Sequence, residues 1–182
     1  MKSDRKKEIK SFLSASYKPG QKVANNVYDK HLSGKRVSVY QNPTTGKATI
    51  IHRGTASMTD WLKTNVPMAL GYEGGNRFKH AKKIQRKTEK KYGAANVTTM
   101  GHSLGGRIAE KVGKKSAKII TYNKAATPKS ILTPTPKKQK DIRTSGDLVS
   151  KLSTFQKHKT KMTTINSGLL NPIAAHDISL IK

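Results

Sequence analysis

The sequence predicts an α/β fold: a mainly parallel central sheet with helices on both faces, in a compact minimal version. Three observations predict it. Short β-branched runs alternate with amphipathic stretches, the pattern of parallel strands joined by helical crossovers. A glycine-rich turn, Gly101-His102-Ser103-Leu104-Gly105-Gly106, sits between one such run (96–100) and one such helix. The 182 residues show no internal repeat and no clear boundary, so 1–182 reads as one domain. A chain of that size buries roughly 70% of its unfolded surface and needs no covalent staple.

The elements follow in order. Ser3 caps a first helix with Ile9, Phe12 and Leu13 on one face, and Pro19-Gly20 ends it. A second helix is predicted over 21–32, with Val23, Ala24, Val27 and Tyr28 inward and Gly34 as its stop. Residues 1–35 would then be an N-terminal helical segment packed on the domain. Strands at 37–40 and 48–52 flank the turn Asn42-Pro43-Thr44-Thr45-Gly46 and make a hairpin. A short apolar helix is predicted over 59–66 and broken by Pro67. A long helix over 76–92 turns Phe78, Ala81, Ile84, Thr88 and Tyr92 inward and covers its other face with lysine and arginine. The helix after the glycine turn runs to Val112. Residues 117–122 form a buried-type strand, a proline-bearing loop leads to a strand at 141–143, and weaker strand signals lie at 163–165 before a terminal segment from Asn171.

Composition sets the electrostatics. Lys plus Arg is 37 and Asp plus Glu is 10, a net charge of +27. Such a chain is drawn to anionic polymers and anionic membrane surfaces. The lysines are interleaved with periodic apolar residues, which makes a folded domain with a basic surface rather than a basic tail. Aromatic content of 5% is poor material for stacking on single-stranded bases. There is no cysteine. The charged start has no apolar stretch behind it and no run reaches membrane-spanning length. The expected setting is intracellular or particle-associated, soluble or peripheral to a membrane.

A serine at the apex of strand, tight turn and helix is the nucleophile elbow of α/β-hydrolases. Gly101 and Gly105 flank Ser103 because side chains there would collide where the chain doubles back. An elbow serine needs a base and a carboxylate downstream. His158 lies in a lysine run and reads as a surface residue; His176, among apolar neighbours, is the better base. Asp141 also sits among lysines and reads as solvated, and Glu110 points along the elbow helix. Asp177 adjoins His176, and neighbours on an extended segment point opposite ways. Asp147, in the loop after a strand, is the better acid. The histidines show no metal-ligand spacing, and no cofactor is called for.

These residues resemble the class 3 (fungal-type) triacylglycerol lipases. Ile50-Ile51-His52-Arg53-Gly54-Thr55 is similar to that family's strand ending in Arg-Gly-Ser/Thr, and Ser57-Met58-Thr59-Asp60-Trp61-Leu62 to its lid segment. Gly101 to Gly106 matches its Gly-His-Ser-Leu-Gly-Gly. Residues 143–149 resemble its acid block and 176–180 its histidine block. The resemblance spans about 37–180, with gaps, and implies Ser103 as nucleophile, Asp147 as orienter and His176 as base. It implies oxyanion-hole N–H groups from Thr55 and Leu104. Ser150 stands where the family has proline, and this chain is shorter and far more basic.

Two functional readings follow. One is a serine hydrolase, a lipase- or phospholipase-like esterase cleaving lipid or small esters, acting at an anionic membrane. There Met58, Trp61 and Leu62 are either a lid whose apolar face meets lipid or an ordinary core helix. The +27 field disfavours a charged histidine, and Asp147 would have to offset it locally. The alternative is a non-catalytic basic protein on the same scaffold that holds nucleic acid or other polyanions. The complete Ser, Asp, His and Arg-Gly-Thr set favours the enzyme.

Overall fold

Seven strands form one sheet in the order of the chain, β1 to β7, in a computed structural model that describes residues 3–55, 75–168 and 171–181. They are β1 (Val27–Tyr28), β2 (Val37–Gln41), β3 (Ala48–His52), β4 (Val97–His102), β5 (Lys118–Tyr122), β6 (Gln139–Thr144) and β7 (Thr163–Ile165). β1, β2 and β3 pair antiparallel, and β3 to β7 pair parallel. The register sets His52 beside Gly101 and His102 beside Tyr122. The carboxyl ends of β3, β4 and β5 therefore lie level, on the edge where open α/β sheets place their sites.

A strand order that advances without reversal, joined by right-handed crossovers, puts the crossover helices on one face. Those helices are α2 (Asn76–Tyr92) and α3 (Leu104–Val112). Val39, Ile50 and Val97 fill that face with Ile84 and Tyr92, and Ala81, Leu104 and Ile108 form a neighbouring cluster. The other face carries Tyr40, Ile51, Met100, Ile120 and Ile142 and needs its own cover. α1 (Ser3–Ala15) supplies it with Ile9, Phe12 and Leu13, together with Ile178 and Ile181 from the C-terminal turn. Each such side chain removed from water stabilises the fold by about 1.5–3 kcal/mol. Helices thus cover both faces, as the alternation predicts. The short helices α4 (Pro128–Ile131), α5 (Leu148–Lys151) and α6 (Pro172–Ala175) connect or follow the last strands. No described helix is long and apolar enough to cross a membrane.

The helix predicted over 21–32 does not form, so the helical part of the N-terminal segment is Ser3–Ala15. Asn26 donates its N–H to Val23 O at 2.9 Å, and Ala24 takes φ 44°, a tight turn in place of a helical one. Val27 and Tyr28 then pair with β2 as an edge strand. Asp29 closes the next turn, accepting the N–H groups of His31 and Leu32 and the side chains of Lys91 and Tyr92.

Beside α3 lies a buried ionic cluster that the sequence hid. Glu110 accepts from Arg107, Lys124 and Gln139, and Asp141 accepts from Thr121, Gln139 and His158. Asp141 is 4% exposed and His158 half-buried, which corrects their reading as solvated groups. His158 faces two acceptors, Asp141 Oδ2 at 2.9 Å and Ser153 O at 2.7 Å, a pairing that only imidazolium can satisfy fully. The hydrogen bond to Asp141 raises the His158 pKa. Burial alone would raise Asp141, but the His158 bond and the Lys124 charge outweigh it and hold the carboxyl at about 2.

Candidate active site

Ser103 stands between β4 and α3 at φ 56°, ψ −128°, a positive-φ conformation that L-residues rarely adopt. The surroundings enforce it. A Cβ on Gly101 would lie 2.1 Å from Gly105 O, and one on Gly105 would lie 1.9 Å from His52 O. The Ser103 N–H bonds Tyr122 O, and the Ser103 carbonyl accepts from Gly106, Arg107 and Ala125. The turn is therefore locked on both sides, as the two flanking glycines predict.

Asp147 and His176 meet although 29 residues separate them: His176 Nδ1 donates to Asp147 Oδ1 at 2.8 Å, and both residues are 1% exposed. Asp147 also caps α5, with Oδ1 accepting from Val149 N and Oδ2 from Ser150 N. That bonding fixes the carboxylate before the histidine reaches it. With Nδ1 carrying the proton, Nε2 is a bare acceptor. It is buried and has no hydrogen-bond partner among the described residues. The Ser103 hydroxyl is thus not hydrogen-bonded to it.

His102 ties Ser103 to this pair. Its ring centroid lies 4.5 Å from that of His176, and its Nε2 donates to His176 O at 3.0 Å. Its Nδ1 must then accept from the Tyr17 hydroxyl, 2.9 Å away. Burial, and next the charge His176 would carry, push the His102 pKa well below the usual histidine value, so this imidazole is neutral. Burial pushes Tyr17 up to about 12, so it remains a donor.

The carbonyls of three consecutive residues are held by side chains at the strand ends. Ala175 O accepts from Asn123 Nδ2 at 3.2 Å, His176 O from His102, and Asp177 O from the Tyr122 hydroxyl at 2.9 Å. Asn123 and Tyr122 are themselves braced on Thr144 at the end of β6. Sequence reasoning found His102 only as a packing neighbour and missed Tyr17, which donates to the His102 ring, and Tyr122 and Asn123, which donate to backbone carbonyls; none of these pairings has a sequence signature.

Thr55 follows Gly54, where an added Cβ would stand 3.2 Å from Ser103 Cβ. Arg77 of α2 holds this corner by donating to the carbonyls of Arg53 and Gly54. The Leu104 N–H is the first of α3 and has no intrahelical acceptor. Thr55, His102 and His176 line a cavity of about 580 Å³ that Tyr17, Lys10 and Lys18 border on the α1 side. Met58, Trp61 and Leu62 lie outside the described residues. Among the described residues no group of three or more His, Cys, Asp or Glu side chains is gathered to hold a metal ion.

Residues 13–166 match the Tle-like phospholipase domain, a phospholipase-like family. The chain belongs to this family. Ser103 and Asp147 lie inside the matched stretch of the Tle-like domain, and His176 lies beyond it. The fold is that of the lipases the motifs resemble. The Lip2 lipase of Yarrowia lipolytica is 14% identical, with a TM-score of 0.60, over 95% of this chain and 82% of its own. The native lipase propeptide complex of Rhizomucor miehei is 13% identical, with a TM-score of 0.56, over 89% and 68%. A variant of MDLA from Penicillium cyclopium is 16% identical, with a TM-score of 0.54, over 89% and 77%. No curated protein matches this Tle-like chain by sequence.

Proposed function

We propose that this chain is a serine hydrolase that cleaves carboxylic ester bonds of lipids through an acyl-enzyme on Ser103. The observation that carries the proposal is the buried Asp147–His176 hydrogen bond, with an unpartnered Nε2, packed against the ring of His102, the residue that precedes a serine held at positive φ. Membership of a phospholipase-like family and likeness in fold to lipases support a lipid ester as substrate.

Ser103 Oγ attacks the ester carbonyl while His176 Nε2 takes its proton. Asp147 holds Nδ1–H and stabilises the imidazolium that forms. The backbone N–H groups of Thr55 and Leu104 receive the oxyanion, a donor of this kind being worth about 3 kcal/mol in comparable sites. The tetrahedral adduct collapses, the alcohol leaves with the proton from His176, and water then releases the acid by the same steps in reverse order. A neutral His102 matters here, because a second cation against His176 would oppose its protonation. The lysines bordering the cavity, with the +27 charge, suit an anionic membrane as the place where substrate is met.

The test is labelling by a fluorophosphonate, together with a panel of p-nitrophenyl esters of rising chain length, with and without anionic vesicles. Expected are labelling that Ser103→Ala abolishes and a rate that rises with chain length and with vesicles. No labelling of folded protein would refute the acyl-enzyme, and a preference for acetate without a vesicle effect would refute the lipid.

A further inference from the structure

We infer that the groove between α2 and the far end of α3 binds the phosphate backbone of nucleic acid, without reading its bases. The groove has a volume of about 1000 Å³. One wall is a stripe of Lys79, Lys82, Arg86 and Lys90 on α2, and Lys114 and Lys115 face it from the loop after α3. All six are exposed. Their spacing of three, four and four residues puts the four cations on one helix face over roughly 16 Å. The one acidic side chain in the lining, Glu89, accepts from Gln85 and Ser116, so its charge is engaged within the fold.

Like charges at i, i+4, such as Lys82 with Arg86 and Arg86 with Lys90, weaken the helix that bears them. Solubility needs far less charge than this chain carries. A line of cations along a concave surface therefore calls for an anionic partner. The shape favours a chain over a bilayer, because a flat membrane cannot enter a groove. Chemistry favours the same choice. The large apolar residues in the lining, Phe78 and Val112, are packed against the Ala81–Leu104–Ile108 cluster, and Ala94 is too small to insert into lipid. The place agrees too. Ser103 stands just before α3, and Lys114 and Lys115 lie past its other end, roughly 15 Å along the axis from the serine. A bilayer lying on the mouth of the proposed active site would not lie on this groove. Phe78 is also the one aromatic ring in the lining and is half-buried, so base stacking contributes nothing and binding is indifferent to sequence.

The test is fluorescence anisotropy of a labelled duplex of arbitrary sequence, with Ser103→Ala protein between 50 and 200 mM salt, so that its outcome is independent of hydrolysis. With about six phosphates neutralised, affinity is expected to fall about a thousandfold over that range, a slope of about −5 in log K against log salt. Lys82→Glu, Arg86→Glu, Lys114→Glu and Lys115→Glu together should reduce affinity at least tenfold more than the reversals Lys30→Glu, Lys35→Glu, Lys47→Glu and Lys138→Glu. Both sets, placed in the Ser103 protein, should leave hydrolysis of a soluble p-nitrophenyl ester unchanged. A groove set carrying Gln in place of Glu serves if the reversals unfold the protein. Equal loss in the two sets overturns the site, since net charge alone would then explain binding. So does the absence of salt-dependent binding, or a groove variant that retains DNA and loses anionic vesicles.

Discussion

Replacing Tyr122 by Phe removes one oxygen and leaves the ring in place. That oxygen donates to Asp177 O at 2.9 Å and meets Thr144 Oγ1 at 2.7 Å. Two hydrogen bonds at about 1 kcal/mol each put the expected loss of stability near 2 kcal/mol, read by urea denaturation. The hydroxyl is also one of three latches on the carbonyls of 175–177. If one bond's worth of free energy, about 1 kcal/mol, is lost from the position of His176 in the transition state, kcat for a p-nitrophenyl ester falls about fivefold. KM should stay constant, because nothing that binds substrate has moved. Tyr40→Phe is the control: its hydroxyl donates to Gln21 O at 2.8 Å, away from the site. With one hydrogen bond removed it should lose about 1 kcal/mol of stability and keep kcat. An unchanged kcat in destabilised Tyr122→Phe, or the same fall in Tyr40→Phe, would refute the latch.

Glu110→Ala leaves the buried cations Arg107 and Lys124 without their shared carboxylate and should cost about 3–5 kcal/mol in denaturation. Gly105→Ala forces a Cβ to within 1.9 Å of His52 O, a backbone atom that cannot swing aside, so the variant should fail to yield folded protein or lose more than about 3 kcal/mol. His52 is held neutral by burial, with its pKa drawn down from 6.5 to about 4. The unfolded chain then binds the extra proton first, so His52 adds stability above pH 6.5 that is lost as pH falls from 6.5 to about 4, on the order of 3 kcal/mol. Denaturation at pH 7 and pH 4.5 should show that fall, and His52→Gln should flatten it.

Elements whose signal is local were legible in the sequence. The hairpin at 37–52, the long amphipathic helix ending at Tyr92 and the glycine turn each carry their own periodicity or turn chemistry. The misread stretch at 21–32 has apolar spacing that fits a helix, and what decided against it was a turn at Ala24 and pairing with a strand ten or more residues away. Asp141 and His158 looked solvated because their sequence neighbours are lysines. Asp141's real neighbours are Thr121 of β5, Lys124 just after it and His158 itself, and only the fold brings those together. For the candidate site, the side chains proposed to react stood out by residue type. The groups that hold them did not, since a tyrosine or asparagine that grips a main-chain oxygen looks like any other.

His102 has a consequence for α1. One neutral ring joins the hydroxyl that follows the first helix to the main chain of His176, a fastening added to the Lys10–Ser179 O hydrogen bond and the apolar packing between the same two segments. Whatever coupling links the two segments acts equally in both directions. An inhibitor seated on Ser103 should therefore slow amide exchange in residues 9–15, which it never touches. Clipping the first helix should silence the enzyme while leaving each of its reacting groups intact.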